Sequence, residues 1–177
     1  TPAEKNAEGK TTSVVHWTGS KVVGGEHTGL ISIKESKLEF KKDKLVGGMV
    51  VVDMTTITNT DLEGEWNQKL VGHLNSDDFF STTKYPTSTL IITKATAGKE
   101  PNTYNVVADL TIKGITHSQS FVTTITDGKD SYTANAVVNI DRTKYGVRYG
   151  SSSFFDDLGD KAIENDFKLT VTLTSAK

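Results

Sequence analysis

The chain contains no cysteine, which removes disulfides, thiolate metal ligands and cysteine nucleophiles from consideration. It lacks a strong charge of either sign. A formal charge of -2 gives no general attraction to phosphate backbones or anionic membrane surfaces, so nucleic acid is not an expected partner. No apolar run approaches the roughly eighteen residues of a membrane-spanning helix. No basic-then-apolar leader stands at the start. Residues 1–12, with Pro2, Lys5, Asn6, Glu8, Gly9 and Lys10, read instead as a polar tether. Such a tether suits a processed exported protein or lipoprotein, and a flexible cytosolic tail is nearly as compatible with it. The apolar share is modest too: 35% hydrophobic against 24% charged residues in a 177-residue chain supports one folded domain, residues 13–177, without a generously filled interior.

What is abundant is threonine, valine and isoleucine, whose branched Cβ atoms favour extended chain. Tyr104, Val106, Ala108, Leu110 and Ile112 alternate with Asn105, Val107, Asp109, Thr111 and Lys113. Tyr132, Ala134, Ala136, Val138 and Ile140 repeat that rhythm, as do Phe167, Leu169, Val171 and Leu173 near the end. Lys113-Gly114 and Asp127-Gly128 mark short hairpin turns on either side of a strand from Ile115 to Ile125. Further strands are expected at Val14 to Trp17, around Leu30, Ile31 and Ile33, at Leu38 to Phe40, at Leu45 to Met54 and at Thr89 to Thr93. About eight strands joined mainly to their sequence neighbours predict an all-β fold, an antiparallel up-and-down barrel without exposed edges.

One stretch departs from that period. Thr60 and Glu63 have capping-box spacing, and Leu62, Trp66, Leu70 and Leu74 follow every four residues, so Asp61 to Leu74 is expected to be an amphipathic helix packed on the barrel with Trp66 buried. Val46, Val50, Val51 and Val52 supply a receiving strand that is apolar on both sides. A short turn at Ser76-Asp77-Asp78 leads into Phe79-Phe80.

Tests for chemistry find little. His16, His27, His73 and His117 are far apart and form no metal-binding spacing. Asp156, Asp157 and Asp160 around Gly159 lack the alternating ligands and terminal glutamate of a calcium loop and read as a solvated loop. Gly24-Gly25 and Gly47-Gly48 are not followed by the residues of a phosphate loop, and Ser151-Ser152-Ser153 is no nucleophile elbow. No cofactor is implied. Arg142 is a candidate donor to a lipid head group or, alternatively, the partner of Asp141 or Asp109. The barrel interior itself poses an open choice. Ala108, Ala134 and Ala136 on its inner face leave space for a cavity, whereas Tyr104, Phe121, Tyr132 and Phe167 are large enough to reach across and fill it.

Four stretches, in their order and spacing, resemble one family. These are Leu70-Val71-Gly72-His73-Leu74-Asn75-Ser76-Asp77-Asp78-Phe79-Phe80, then Tyr85-Pro86, then Ala108 to Thr116 (ADLTIKGIT), and finally Ile140 to Gly146 (IDRTKYG). Together they resemble the YceI family of bacterial, mostly exported proteins with an extended lipocalin-like barrel that binds polyisoprenoids and other long-chain lipids. The resemblance implies a ligand tunnel in place of a filled barrel, non-catalytic carriage or storage of a lipid, and a periplasmic or envelope-associated location; association into a homodimer stays open. Expected ligand contacts are Tyr104, Val106, Ala108, Leu110 and Ile112, then Tyr132, Ala134, Ala136 and Val138, then Phe167 and Leu169. Phe79, Phe80, Phe121, His117 and Arg142 complete the set. Ala108 stands where the family more often has glycine, and the strand carrying His117, Gln119 and Thr123 brings polar groups to the lining, where a head group or water would sit. At about 0.8 kcal/mol per buried methylene, a dozen carbons represent roughly 10 kcal/mol of gross transfer free energy, so the tail supplies affinity and the head selects. The competing readings are an enzyme acting on a lipid, with His73 or His117 as base, and an interaction module with a plugged barrel.

Overall fold

Period-two alternation organises eight antiparallel strands: β1 (Val14–Ser20), β2 (Glu26–Lys41), β3 (Lys44–Asp53), β4 (Thr87–Ala97), β5 (Thr103–Ile112), β6 (Ile115–Asp127), β7 (Ser131–Asp141) and β8 (Asp166–Ala176). Each strand pairs with its sequence neighbour, and β1 pairs with β8, with Val14 opposite Thr172 and Thr18 opposite Lys168. The result is a closed up-and-down barrel carrying one helix, α1 (Gly64–Asn75), as the patterning predicted. This computed structural model describes residues 13–21, 25–42, 44–77, 79–147 and 163–176. The tether at residues 1–12, the serine run at 151–153 and the acidic group around Gly159 lie outside the described residues.

Two segments expected to be separate strands, Leu30 to Ile33 and Leu38 to Phe40, are one. β2 is continuous, with bulges between Ile33 and Glu35 and between Glu39 and Phe40. The first inserts Lys34 into β2 and reverses which parity faces inward, so the apolar positions change from odd (Ile31, Ile33) to even (Leu38, Phe40) and the period breaks in the sequence; the second inserts Val46 into the partner strand β3 and leaves the parity of β2 unchanged. Between β5 and β6 the turn is as tight as expected. Lys113 and Gly114 both have positive φ, 52° and 74°, the conformation of a two-residue hairpin turn and one that favours glycine at its second position.

The helix is placed differently from the sequence expectation. It begins at Gly64, Glu63 makes no side-chain capping bond, and Leu62 precedes it. Trp66, expected to be buried, is 70% exposed. An every-four spacing drifts around a helix of 3.6 residues per turn, so Trp66 lies about 80° from Leu74. The covered face is instead Asn67, Leu70, Val71 and Leu74. Asn67 holds it down, donating through Nδ2 to the carbonyls of Asn59 at 2.7 Å and Leu62 at 2.9 Å. Val46, expected to receive the helix, is exposed. The alternation predicts that Asn105 on β5 and Thr172 on β8 face solvent; Asn105 is exposed, but Thr172 is buried, with its hydroxyl 3.2 Å from Asn135 Oδ1.

The barrel has two unlike ends. One carries the short connections at residues 42–43, 98–102 and 128–130, and its interior is a packed cluster of Leu45, Val50, Val106, Ala108, Ile125, Tyr132, Ala134 and Leu173. The other carries the short connections at residues 21–25 and 113–114 and the long ones at residues 54–86 and 142–165. There Trp17, Ile57, Leu74, Phe79 and Val147 gather into a second cluster, and Leu110, Ile112, Ile140 and Tyr145 into a third.

Candidate functional site

The capped end is hollow. A cavity of about 150 Å³ lies between the second and third clusters, walled by β-strand side chains such as Val15, Val50, Leu90, Leu110, Ile112, Val138, Ile140, Leu169 and Val171. Trp17, Met54, Ile57, Leu74, Phe79 and Phe80 close over it, and its lining continues to Glu164 and Asp166, both exposed, where β8 begins.

The cap is tied to β2 by a strap. β3 and β2 pair as far as Asp53 and Ser32; after a 3₁₀ turn at Met54–Thr56, residues 57–61 take over beside the rest of β2. Thr58 N donates to Leu30 O at 2.9 Å and Thr60 N to Thr28 O at 2.9 Å. The indole of Trp17 donates to Thr58 O at 2.9 Å. This crossing needs glycine at position 29, because a Cβ there would stand 1.8 Å from Thr58 O and 2.4 Å from the indole nitrogen. At its outer end, Asp61 accepts from Thr28 N at 3.0 Å and lies 2.8 Å from His27 Nδ1. Burial raises the Asp61 pKa, but the bonds from His27, Thr28 and Asn59 outweigh it and hold the carboxyl below its ordinary value.

Arg142 forms part of the cavity wall and is 3% exposed. Its guanidinium donates to the carbonyls of Glu164 at 2.9 Å, Val147 at 3.0 Å and Ile163 at 3.2 Å, and stands 5.8 Å from the centre of the Phe79 ring. It therefore ties the connection after β7 to the start of β8 rather than bonding to Asp141 or Asp109. Burial lowers its pKa, against the opposing effect of nearby Asp141. Asp141 instead caps the 3₁₀ turn Arg142–Tyr145 through the Thr143 amide at 3.0 Å. Tyr145, fully buried, accepts from Gln119 Nε2 at 2.7 Å; burial raises the pKa of its hydroxyl more than that bond lowers it. Gln119 also lines the cavity, giving the polar character expected of β6 one place in the wall.

The residues singled out from the sequence divide between the two ends. Phe79, Phe80, Leu110, Ile112, Val138, Arg142, Phe167 and Leu169 meet at the cavity. Val106, Ala108, Tyr132 and Ala134 lie in the packed cluster of the hairpin end, with Tyr104 and Phe121 against it. Ala136 sits between Thr123 and Val171 in the sheet, and is half-buried. His117 places Nε2 2.9 Å from the Lys144 carbonyl and its ring edge-on to Tyr145. His73 meets Phe79 edge-on. Sequence reasoning did not single out Trp17, Met54, Ile57 or Ser88, which also line the cavity. The alternation around Ser88, with Leu90 and Ile92 at the same parity, was the available signal.

The YceI-like domain family matches residues 7–175. This chain belongs to that family. Among solved structures, the YceI-like chain is similar to BcnA of Burkholderia cenocepacia, at 19% identity and a TM-score of 0.71 over 92% of this chain and 96% of that one. A polyisoprenoid binding domain from Saccharophagus degradans implicated in plant cell wall breakdown matches at 15% identity and a TM-score of 0.68, covering 93% and 94%. The Campylobacter jejuni YCEI protein matches at 18% identity and a TM-score of 0.62, covering 83% and 84%. At these identities the likeness is one of fold. A comparison with curated protein sequences found no match.

Proposed function

We propose that this YceI-like protein binds a long-chain apolar lipid, polyisoprenoid or fatty in character, and carries or stores it without chemical change. The observation that carries the proposal is the apolar cavity inside a closed barrel at the end with long connections. The polyisoprenoid binding domain that shares its fold supports the same reading. In this reading Leu110, Ile112, Val138, Phe167 and Leu169 contact the chain, Phe79 and Phe80 close over it, and Arg142 borders it. The packed cluster around Tyr132 and Ala108 is the floor. A dry cavity of about 150 Å³ holds a benzene-sized group. A longer chain is therefore admitted by outward movement of the cap at residues 54–86, which yields more readily than the interlocked floor. An exported, envelope-associated protein would meet such lipids.

Mass spectrometry of organic extracts from the purified protein, paired with titration of the delipidated protein by a fluorescent long-chain fatty probe, tests the proposal. One long-chain lipid per barrel and saturable probe binding are expected. No extracted lipid together with no probe binding would overturn it.

A further inference from the structure

Resting on the lipid-binding reading, a second observation at the same cavity bears on the chemistry of the ligand. Ser88 is 6% exposed, and its hydroxyl oxygen is buried with no hydrogen-bond partner among the described residues. It lines the cavity. Its neighbours there are apolar: Val52 is its partner across the β3–β4 ladder, Leu90 shares its face two residues on, and the β4–β5 register, with Thr89 opposite Thr111, brings Ile112 alongside.

Buried hydroxyls are ordinarily satisfied, and an O–H donor left without an acceptor is the rarer and costlier omission. A serine that served packing alone would be replaced by alanine at no loss of contact. We propose that Ser88 is the polar recognition point of the cavity and that the ligand is an apolar chain bearing a neutral carbonyl oxygen, of ketone or ester type, which accepts the Ser88 hydroxyl hydrogen bond. A neutral acceptor fits because Val52, Leu90 and Ile112 offer no charge to compensate an ion beside Ser88, and the guanidinium of Arg142 in the same wall is already bonded to the carbonyls of Glu164, Val147 and Ile163. A plain hydrocarbon would offer the hydroxyl no acceptor.

The test uses two probes of one chain length, heptadecane and the corresponding methyl ketone, competed against a fluorescent fatty probe on the delipidated wild type and on Ser88→Ala. The expected result is a wild-type preference for the ketone of about five- to tenfold, the size of one net hydrogen bond. Ser88→Ala should abolish that preference while binding heptadecane as before, which also shows that the variant is folded. The infrared carbonyl stretch of the bound ketone should lie below its position in alkane solvent in the wild type and return to it in Ser88→Ala. If both proteins bind both probes equally, or the shifted stretch persists in Ser88→Ala, Ser88 is not the recognition point and the lipid-binding reading stands. If the wild type binds neither probe, the lipid-binding reading itself fails.

Discussion

At the hairpin end of the barrel Phe40 and Tyr132 stack with ring centroids 3.8 Å apart, and Ala108 is wholly buried; at the capped end the inward residues are again mostly apolar, yet they enclose a cavity of about 150 Å³. Composition does not separate the two. What covers each end does. At the hairpin end all three connections are short, and aromatic rings from β2 and β7 meet across the lumen. The other end also has a two-residue turn, at 113–114, but the long connection at residues 54–86 roofs it with side chains from outside the sheet, Ile57, Leu74, Phe79 and Phe80. The choice between a filled and a hollow barrel is thus made separately at each end.

Tyr132→Ala should have the largest effect on this contrast. It removes half of the stack from a packed cluster, and a loss of about 3 to 5 kcal/mol in urea unfolding is expected. A loss below about 1 kcal/mol would mean that the floor is not tightly packed. Next comes Gly29→Ala, whose Cβ has no room beside Thr58 O. Forcing the strap away should cost about 1 to 3 kcal/mol and, in a Trp66→Phe background, shift Trp17 emission to the red, since the buried indole is uncovered to water. Unchanged emission would remove the strap as the device that closes the cap.

Val138→Phe addresses the hollow end. An added ring there occupies existing space, so delipidated stability should change by less than about 1 kcal/mol while binding of the fatty probe is lost. Val106→Phe, the matched change in the floor, should instead overpack and destabilise by about 1 to 3 kcal/mol. Equal effects at the two sites would erase the distinction between the ends.

The acid side offers a gentler probe of the strap. Asp61 has a folded-state pKa below its ordinary value of 3.8, so its contribution is present above that value and lost as pH falls through the depressed one. Trp17 emission, followed in a Trp66→Phe background, should begin to shift as pH drops below 3.8, and Asp61→Asn should remove that step. A step that persists in Asp61→Asn would assign it to other carboxylates. The smallest effect belongs to Trp66→Ala, within about 0.5 kcal/mol of wild type, because the indole is mostly in solvent and its contact with Lys69 is a surface one.

Strands β5, β7 and β8 were legible in the sequence because alternation states directly which side chains face inward. The bulge at Lys34 concealed a continuous strand β2, since inserting a residue reverses parity without leaving any mark in composition. Alanines were read as the place of the lumen, but volume inside a barrel depends on what arrives from the opposite wall. Ala108 and Ala134 share a cluster with Tyr132, which fills the space they leave. Trp17 and Ile57 became wall residues through a strap whose course depends on backbone bonds to Thr28 and Leu30, and backbone bonding carries no side-chain signature. Trp66 was misplaced by an every-four spacing that matches a helix over two turns but drifts over three.

Closure of the sheet couples β1 to β8, partners near opposite ends of the chain. Every other ladder joins strands adjacent in sequence, so the hairpins assemble locally and the last seam waits on a long-range encounter. Until that seam forms, β1 and β8 are free edges and the apolar interior faces water, the condition in which strands pair between molecules. The slow step of folding and the step that encloses the cavity are therefore the same event.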